Sequence, residues 1–124
     1  MATVLLVEDE KNQRLLYGRE LEEEGYTVVL AGDGREALQR FAEVKPDVVV
    51  LDIQMPNMDG IEALGKLLSI DNRIPVILHT AFSSHKSNFM TWSADAYVVK
   101  SSDLAELKAK VREVLTTRGE SAGR

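Results

Sequence analysis

Short apolar runs alternate with segments of helical period along this chain. Thr3–Val7, Thr27–Leu30, Val48–Leu51, Pro75–Leu78 and Ala96–Val99 are each four or five residues long and rich in valine, isoleucine or leucine. Continuous runs of this kind predict strands buried on both faces, as in a parallel sheet. Between them, Asn12–Glu24 carries Leu15, Leu16, Tyr17 and Leu21 and stops at Gly25, and Gly34–Glu43 carries Ala37, Leu38 and Phe41. Ile61–Ile70 repeats Ile61, Leu64, Leu67 and Leu68, and Ser84–Trp92 has the weakest helical pattern. The plainest stripe is the last, formed by Leu104, Leu107, Val111, Val114 and Leu115. Asp103 and Glu106 supply an acceptor at its N-cap and a carboxylate at N3. Five strands alternating with five helices predict an α/β chain of (βα)5 type. Right-handed crossovers then place helices on both faces of one parallel sheet.

The length of 124 residues fits one domain. The apolar stripe ends at Leu115, so the domain is placed at residues 1–116. The small, polar segment Thr117–Arg124 reads as a flexible tail or a linker stub. The chain has no cysteine, which excludes a disulfide framework, a thiolate metal site and a cysteine nucleophile. A net charge of −5 and the lack of a basic recognition helix argue against direct binding to nucleic acid. No apolar run reaches the roughly 20 residues of a membrane span. No basic region precedes the first apolar run, so no signal peptide is read and the cytoplasm is the expected compartment.

In doubly wound sheets, ligands sit at the carboxyl ends of the strands. Glu8 and Asp9 follow the first predicted strand, Asp52 the third, Thr80 the fourth and Lys100 the fifth. Each has an ordinary structural reading. Asp9 can cap a helix, Thr80 can serve β-propensity and Lys100 can be solvated. Their convergence on one rim points instead to chemistry. Clustered carboxylates repel and ask for a cation. Mg2+ suits them, because it takes oxygen ligands and commonly shares one or two carboxylates with phosphate oxygens. A lysine and a hydroxyl beside it could hold a phosphoryl group, and an aspartate could accept one. This reasoning leaves open which carboxylate accepts and whether the substrate is a protein.

The same residues carry a resemblance. Val4-Leu5-Leu6-Val7-Glu8-Asp9-Glu10 resembles the first strand and acidic pair of the receiver domain of bacterial two-component response regulators. Pro46–Pro56 resembles its phosphoacceptor strand and Met-Pro loop, which Asn57-Met58-Asp59-Gly60 continues. His79-Thr80-Ala81 and Asp95–Lys100 resemble the ends of its fourth and fifth strands. The resemblance runs from about Thr3 to about Leu115. It implies a flavodoxin-like strand order 2-1-3-4-5. It implies that Asp52 accepts a phosphoryl group from a sensor histidine kinase, in a signalling module that is not an ordinary enzyme. Asp9, Asp52 and the Gln54 backbone carbonyl would ligate Mg2+, and Glu8 would act through water. Lys100 would contact the phosphate, and Thr80 and Tyr97 would form the switch. The changing surface would comprise the predicted helix over Ser84–Trp92, the fifth strand and the last helix. It would act on a partner protein or on an output domain beyond this chain, with phosphorylation-dependent dimerisation left open.

Two features depart from the family pattern. Many receivers have proline after the active-site lysine, joined by a cis peptide bond, whereas this chain has Ser101. A cis bond before a non-proline residue costs roughly 3–4 kcal/mol, so a trans bond is expected, with Ser101 or Ser102 helping to cap the next helix. Phe82–Trp92 also lacks the family's usual small, charged composition, and Phe89, Met90 and Trp92 fit either a core or an exposed partner patch. His79 reads as a packed strand residue and His85 as a loop residue. Glu20 and Glu22–Glu24 read as a solvated helix face. Three rival functions are a phosphorylation-independent pseudo-receiver scaffold, a small Mg2+-dependent phosphatase and a flavodoxin-like cofactor protein. The intact polar set weakens the first and the short length the second. The acidic pair after the first strand disfavours an anionic cofactor.

Overall fold

The computed structural model describes residues 2–52, 60–81, 95–101 and 103–122. Its strands are β1 (Thr3–Val7), β2 (Thr27–Ala31), β3 (Val48–Leu51), β4 (Val76–Thr80) and β5 (Ala96–Val99). Its helices among the described residues are α1 (Lys11–Glu23), α2 (Gly34–Val44), α3 (Gly60–Ile70) and α4 (Ala105–Ala122). The sheet is parallel, in the order β2-β1-β3-β4-β5, with Leu6 opposite Val50 and Leu78 opposite Tyr97. The expected strand order is therefore present. The predicted helix over Ser84–Trp92 lies outside the described residues, as do Gln54, Met55, Pro56, Phe82 and His85.

Strand alternation divides the core between the two faces of the sheet. Leu5, Val7, Val49, Leu51, Val76 and Leu78 pack with Ala37 and Phe41 of α2 and Ala63, Leu64 and Leu67 of α3. Val4, Leu6, Val48, Val50, Ile77 and Val98 pack with Tyr17 and Leu21 of α1 and Leu107, Val111 and Val114 of α4. The strand β2 is an edge, so its apolar run is only half-buried over Val28–Leu30. Leu15 and Leu16 are about half exposed, because α1 turns Tyr17, Gly18 and Leu21 to the sheet instead.

Local chemistry sets the helix ends. Glu10 caps α1, its carboxylate accepting from the N–H groups of Asn12 and Gln13. Gly25, at φ +101°, takes the left-handed turn that ends that helix. Asp33 caps α2 through the Glu36 N–H at 2.8 Å. Asp103 accepts from the Ala105 N–H at 2.9 Å, the cap expected for the last helix. The Ser101 hydroxyl in turn accepts from the Asp103 N–H at 3.2 Å. No peptide bond among the described residues is cis, so Lys100–Ser101 is trans. The helix α4 continues past Thr116 to Ala122, so the segment read as a tail or linker begins within it. The acidic face of α1 is not wholly solvated. Glu20 pairs with Lys108 at 2.6 Å and Glu24 with Arg112 at 3.1 Å, joining α1 to α4.

Two stability predictions follow from this packing. Lys45 ends α2 at φ +48°, where a side chain costs about 1–2 kcal/mol and glycine's extra entropy offsets about half of that. Lys45→Gly should raise stability by about 0.5–1 kcal/mol in urea unfolding. His79 is buried and meets the Tyr17 ring edge-on at 4.9 Å. Burial, with the Lys100 charge beside it, lowers its pKa from 6.5 to about 4. Between those limits the unfolded chain binds a proton that the folded chain refuses. Stability is therefore full above pH 6.5 and falls as the pH drops towards 4. The loss from this residue is about 3 kcal/mol. His79→Phe should flatten that part of a plot of urea midpoint against pH, and an unchanged slope would contradict the assignment.

Candidate functional site

The ladder of backbone hydrogen bonds runs one residue past several strand ends. Glu8 N–H donates to the Ala31 carbonyl at 3.0 Å, Asp52 N–H to Val7 at 3.1 Å and Lys100 N–H to Thr80 at 2.7 Å. Glu8, Asp52 and Lys100 are thereby held as if still in strands. Each lies two residues beyond a core residue of the α1/α4 face, namely Leu6, Val50 and Val98. Period-2 alternation aims all three side chains to that face of the rim. Thr80 and Tyr97 belong to the opposite alternation. Thr80 is fully buried two residues beyond Leu78, and Tyr97 is half-buried against the α2/α3 cluster.

The Lys100 ammonium lies 2.6 Å from Glu8 Oε1 and 2.9 Å from Asp52 Oδ2. It donates a further hydrogen bond to Gln13 Oε1 at 2.8 Å, so its three N–H groups have three acceptors. Glu8 and Asp52 are buried, at 2% and 5% exposure, while Asp9 is exposed. Ligand atoms of Glu8, Asp9 and Asp52 all lie within 4.8 Å of one another. Asp9 therefore joins the cluster, and the cap of α1 is Glu10. Burial pushes the Glu8 carboxyl above its ordinary pKa, even with Lys100 beside it. Burial alone would lower the Lys100 ammonium, but its hydrogen bonds to Glu8 and Asp52 outweigh that and raise it.

The donor set fits a hard divalent cation. It consists of carboxylate oxygens on one rim, with one ammonium among three carboxylates, and Asp9 opens the cluster to water. The expected Gln54 ligand lies outside the described residues. Three contributors carry no motif in the sequence. Gln13 holds Lys100. Arg14 donates to the backbone carbonyls of Glu8 at 2.7 Å and Asp9 at 3.3 Å, pinning the acidic turn. The Tyr17 ring lies 6.0 Å from the ammonium. The available signal was positional, because Gln13 sits one helical turn before buried Tyr17 in the helix that starts beside the acidic pair.

Comparison with known proteins agrees with this geometry. Residues 4–112 match the response regulator receiver domain family. The chain is 40% identical over 114 residues to the regulatory protein AtoC of Escherichia coli (strain K12), covering 90% of this chain and 25% of that protein. It spans between a quarter and about half the length of the first curated relatives it matches. Among solved structures it is similar to the Thermotoga maritima response regulator TrrA in complex with Mg2+-BeF. The TM-score is 0.89 and the identity 43%, with 92% of this chain and 99% of that one covered. TrrA in complex with the histidine kinase ThkA matches with a TM-score of 0.87 and 43% identity over 93% of this chain and 99% of that one. No described helix is long and apolar enough to cross a membrane. The chain belongs to the response regulator receiver domain family.

Proposed function

We propose that this receiver takes a phosphoryl group on Asp52 from the phosphohistidine of a sensor histidine kinase. The observation that carries the reading is the Lys100 ammonium set between Glu8 and Asp52 at the carboxyl end of the sheet. An Asp52 carboxylate oxygen attacks phosphorus. The new O–P bond forms as the P–N bond breaks, and its electron pair passes to the imidazole nitrogen, which then takes a proton from solvent. Lys100 supplies a fixed positive charge where the equatorial oxygens gather negative charge. Asp9, Asp52 and the Gln54 carbonyl would hold Mg2+, with Glu8 acting through water, and the ion would neutralise charge on the transferred group. Water attack on the same phosphorus returns Asp52 and inorganic phosphate, so the module resets without being an ordinary enzyme.

Thr80 and Tyr97 form the switch on this reading. The Thr80 hydroxyl turns to a phosphoryl oxygen and Tyr97 follows inward, biasing a pre-existing equilibrium. Residues 84–92, β5 and α4 would present the altered surface to a partner or to an output domain. Relatives longer than this chain support that output, and the histidine kinase bound to TrrA supports the donor. A cytoplasmic location fits such a kinase partner.

Acetyl phosphate should add the mass of one phosphoryl group to the intact protein. The gain should require Mg2+, disappear with a chelator and be absent from Asp52→Asn. An adduct that persists in Asp52→Asn would assign the acceptor elsewhere. If neither acetyl phosphate nor a histidine kinase gives an adduct, and beryllofluoride leaves the Trp92 fluorescence unchanged, the chain is a phosphorylation-independent scaffold.

A further inference from the structure

Three groups accept from Lys100, and they differ in what phosphoryl transfer does to them. Asp52 Oδ2, at 2.9 Å, belongs to the group that becomes the acyl phosphate. Glu8 Oε1, at 2.6 Å, is a carboxylate that stays a carboxylate. Gln13 Oε1, at 2.8 Å, belongs to a neutral amide and keeps its lone pairs throughout. An ammonium has tetrahedral N–H directions, so fixing two of them aims the third. Glu8 and Gln13 are the two fixed anchors, and the third N–H points at Asp52.

Gln13 is itself well held. Its backbone N–H donates to the capping Glu10 carboxylate at 2.7 Å, which fixes its place in the first turn of α1. The Tyr17 hydroxyl approaches the same amide oxygen at 3.5 Å, and the Tyr17 ring packs against buried His79. Since an ammonium only donates, the oxygen and not the nitrogen of the Gln13 amide faces it. A carboxylate in this place would draw Lys100 away from the phosphoryl group and repel the donor. A side chain without an acceptor would leave one N–H of a largely buried ammonium unpaired.

We propose that Gln13 is a positioning residue for phosphoryl transfer: its amide oxygen takes one N–H of Lys100 and so aims the ammonium at the Asp52 carboxylate. This inference rests on the phosphoryl-transfer reading of the site.

The test pairs Gln13→Met, which keeps length and removes the acceptor, with Gln13→Glu, which keeps an acceptor. The first readout is the 1H–15N correlation of the Lys100 side-chain NH3+, visible only when hydrogen bonding slows its exchange with water. The second is the rate of phosphorylation by acetyl phosphate at saturating Mg2+, followed by intact mass. Wild type and Gln13→Glu should show the Lys100 signal, and Gln13→Met should lose it. Gln13→Met should also be phosphorylated about tenfold more slowly, the effect of about 1.4 kcal/mol on a barrier. A Gln13→Met protein that keeps the wild-type rate overturns the proposal, whether or not the signal survives. So does a slower Gln13→Met protein whose Lys100 signal is unchanged, because the effect then bypasses the lysine. If wild type itself takes no phosphoryl group, the phosphoryl reading falls and the role of Gln13 in transfer falls with it. The wild-type and Gln13→Met spectra then still report whether the contact exists.

Discussion

Two buried carboxylates at the ends of neighbouring strands are stable only with a cation between them, and in this fold the cation is Lys100. Its Nζ reaches Glu8 and Asp52 within 2.9 Å, and its side chain is itself only 14% exposed. Removing one partner of such a buried pair leaves an uncompensated charge, a penalty of about 3–5 kcal/mol. The rim therefore depends on β1, β3 and β5 ending at the same level, and the continued backbone ladder at Glu8, Asp52 and Lys100 keeps them there. The apolar strands beneath build the core, and they also set the spacing that the ion pair needs. With three clustered carboxylates to one ammonium, the rim keeps an excess of negative charge.

Much of this was legible in the sequence because its physics is local. The runs at Thr3–Val7 and Val48–Leu51 coincide with β1 and β3, since a strand buried on both faces needs continuous apolar residues, and Ala96–Val99 coincides with β5, a half-buried edge strand. The rule that ligands sit at strand carboxyl ends then collected Glu8, Asp9, Asp52, Thr80 and Lys100 before any contact was known. Boundaries slipped where the local signal was mixed. β4 extends through His79 and Thr80, because a polar side chain costs little in a strand once it finds a partner. Leu15 and Leu16 looked like core by composition, but their angular position on α1 turns them outwards while Gly18 approaches the sheet.

What stayed illegible depends on contacts between distant segments. Gln13 and Lys100 are 87 positions apart, and nothing in a glutamine near a helix start announces an ammonium acceptor. The acidic stretch Glu20–Glu24 illustrates the same limit. Its composition is that of a solvated face, yet two of its members meet cations of α4. These pairs are partly exposed and add little stability individually. They join α1 to α4 at the surface, beside the buried cluster in which Tyr17 and Leu21 pack with Leu107, Val111 and Val114.

The division of the rim between the two sheet faces gives the proposed switch its logic. Glu8, Asp52 and Lys100 continue the alternation covered by α1 and α4, whereas Thr80 and Tyr97 continue the alternation covered by α2 and α3. The charged groups thus lie on one side of the sheet, and the Thr80 hydroxyl and Tyr97 ring belong to the other. A phosphoryl group on Asp52 brings further acceptor oxygens to the point where the two sides meet. Lys100 can answer it without a large movement, because its anchors at Glu8 and Gln13 survive the reaction. Thr80, on the proposed reading, would be recruited across the end of β4, in a segment where Lys100 N–H already binds the Thr80 carbonyl. On the proposed reading, transfer belongs to the prearranged side and signalling to the side that would move. A rim that held every group equally firmly would accept phosphate and report nothing.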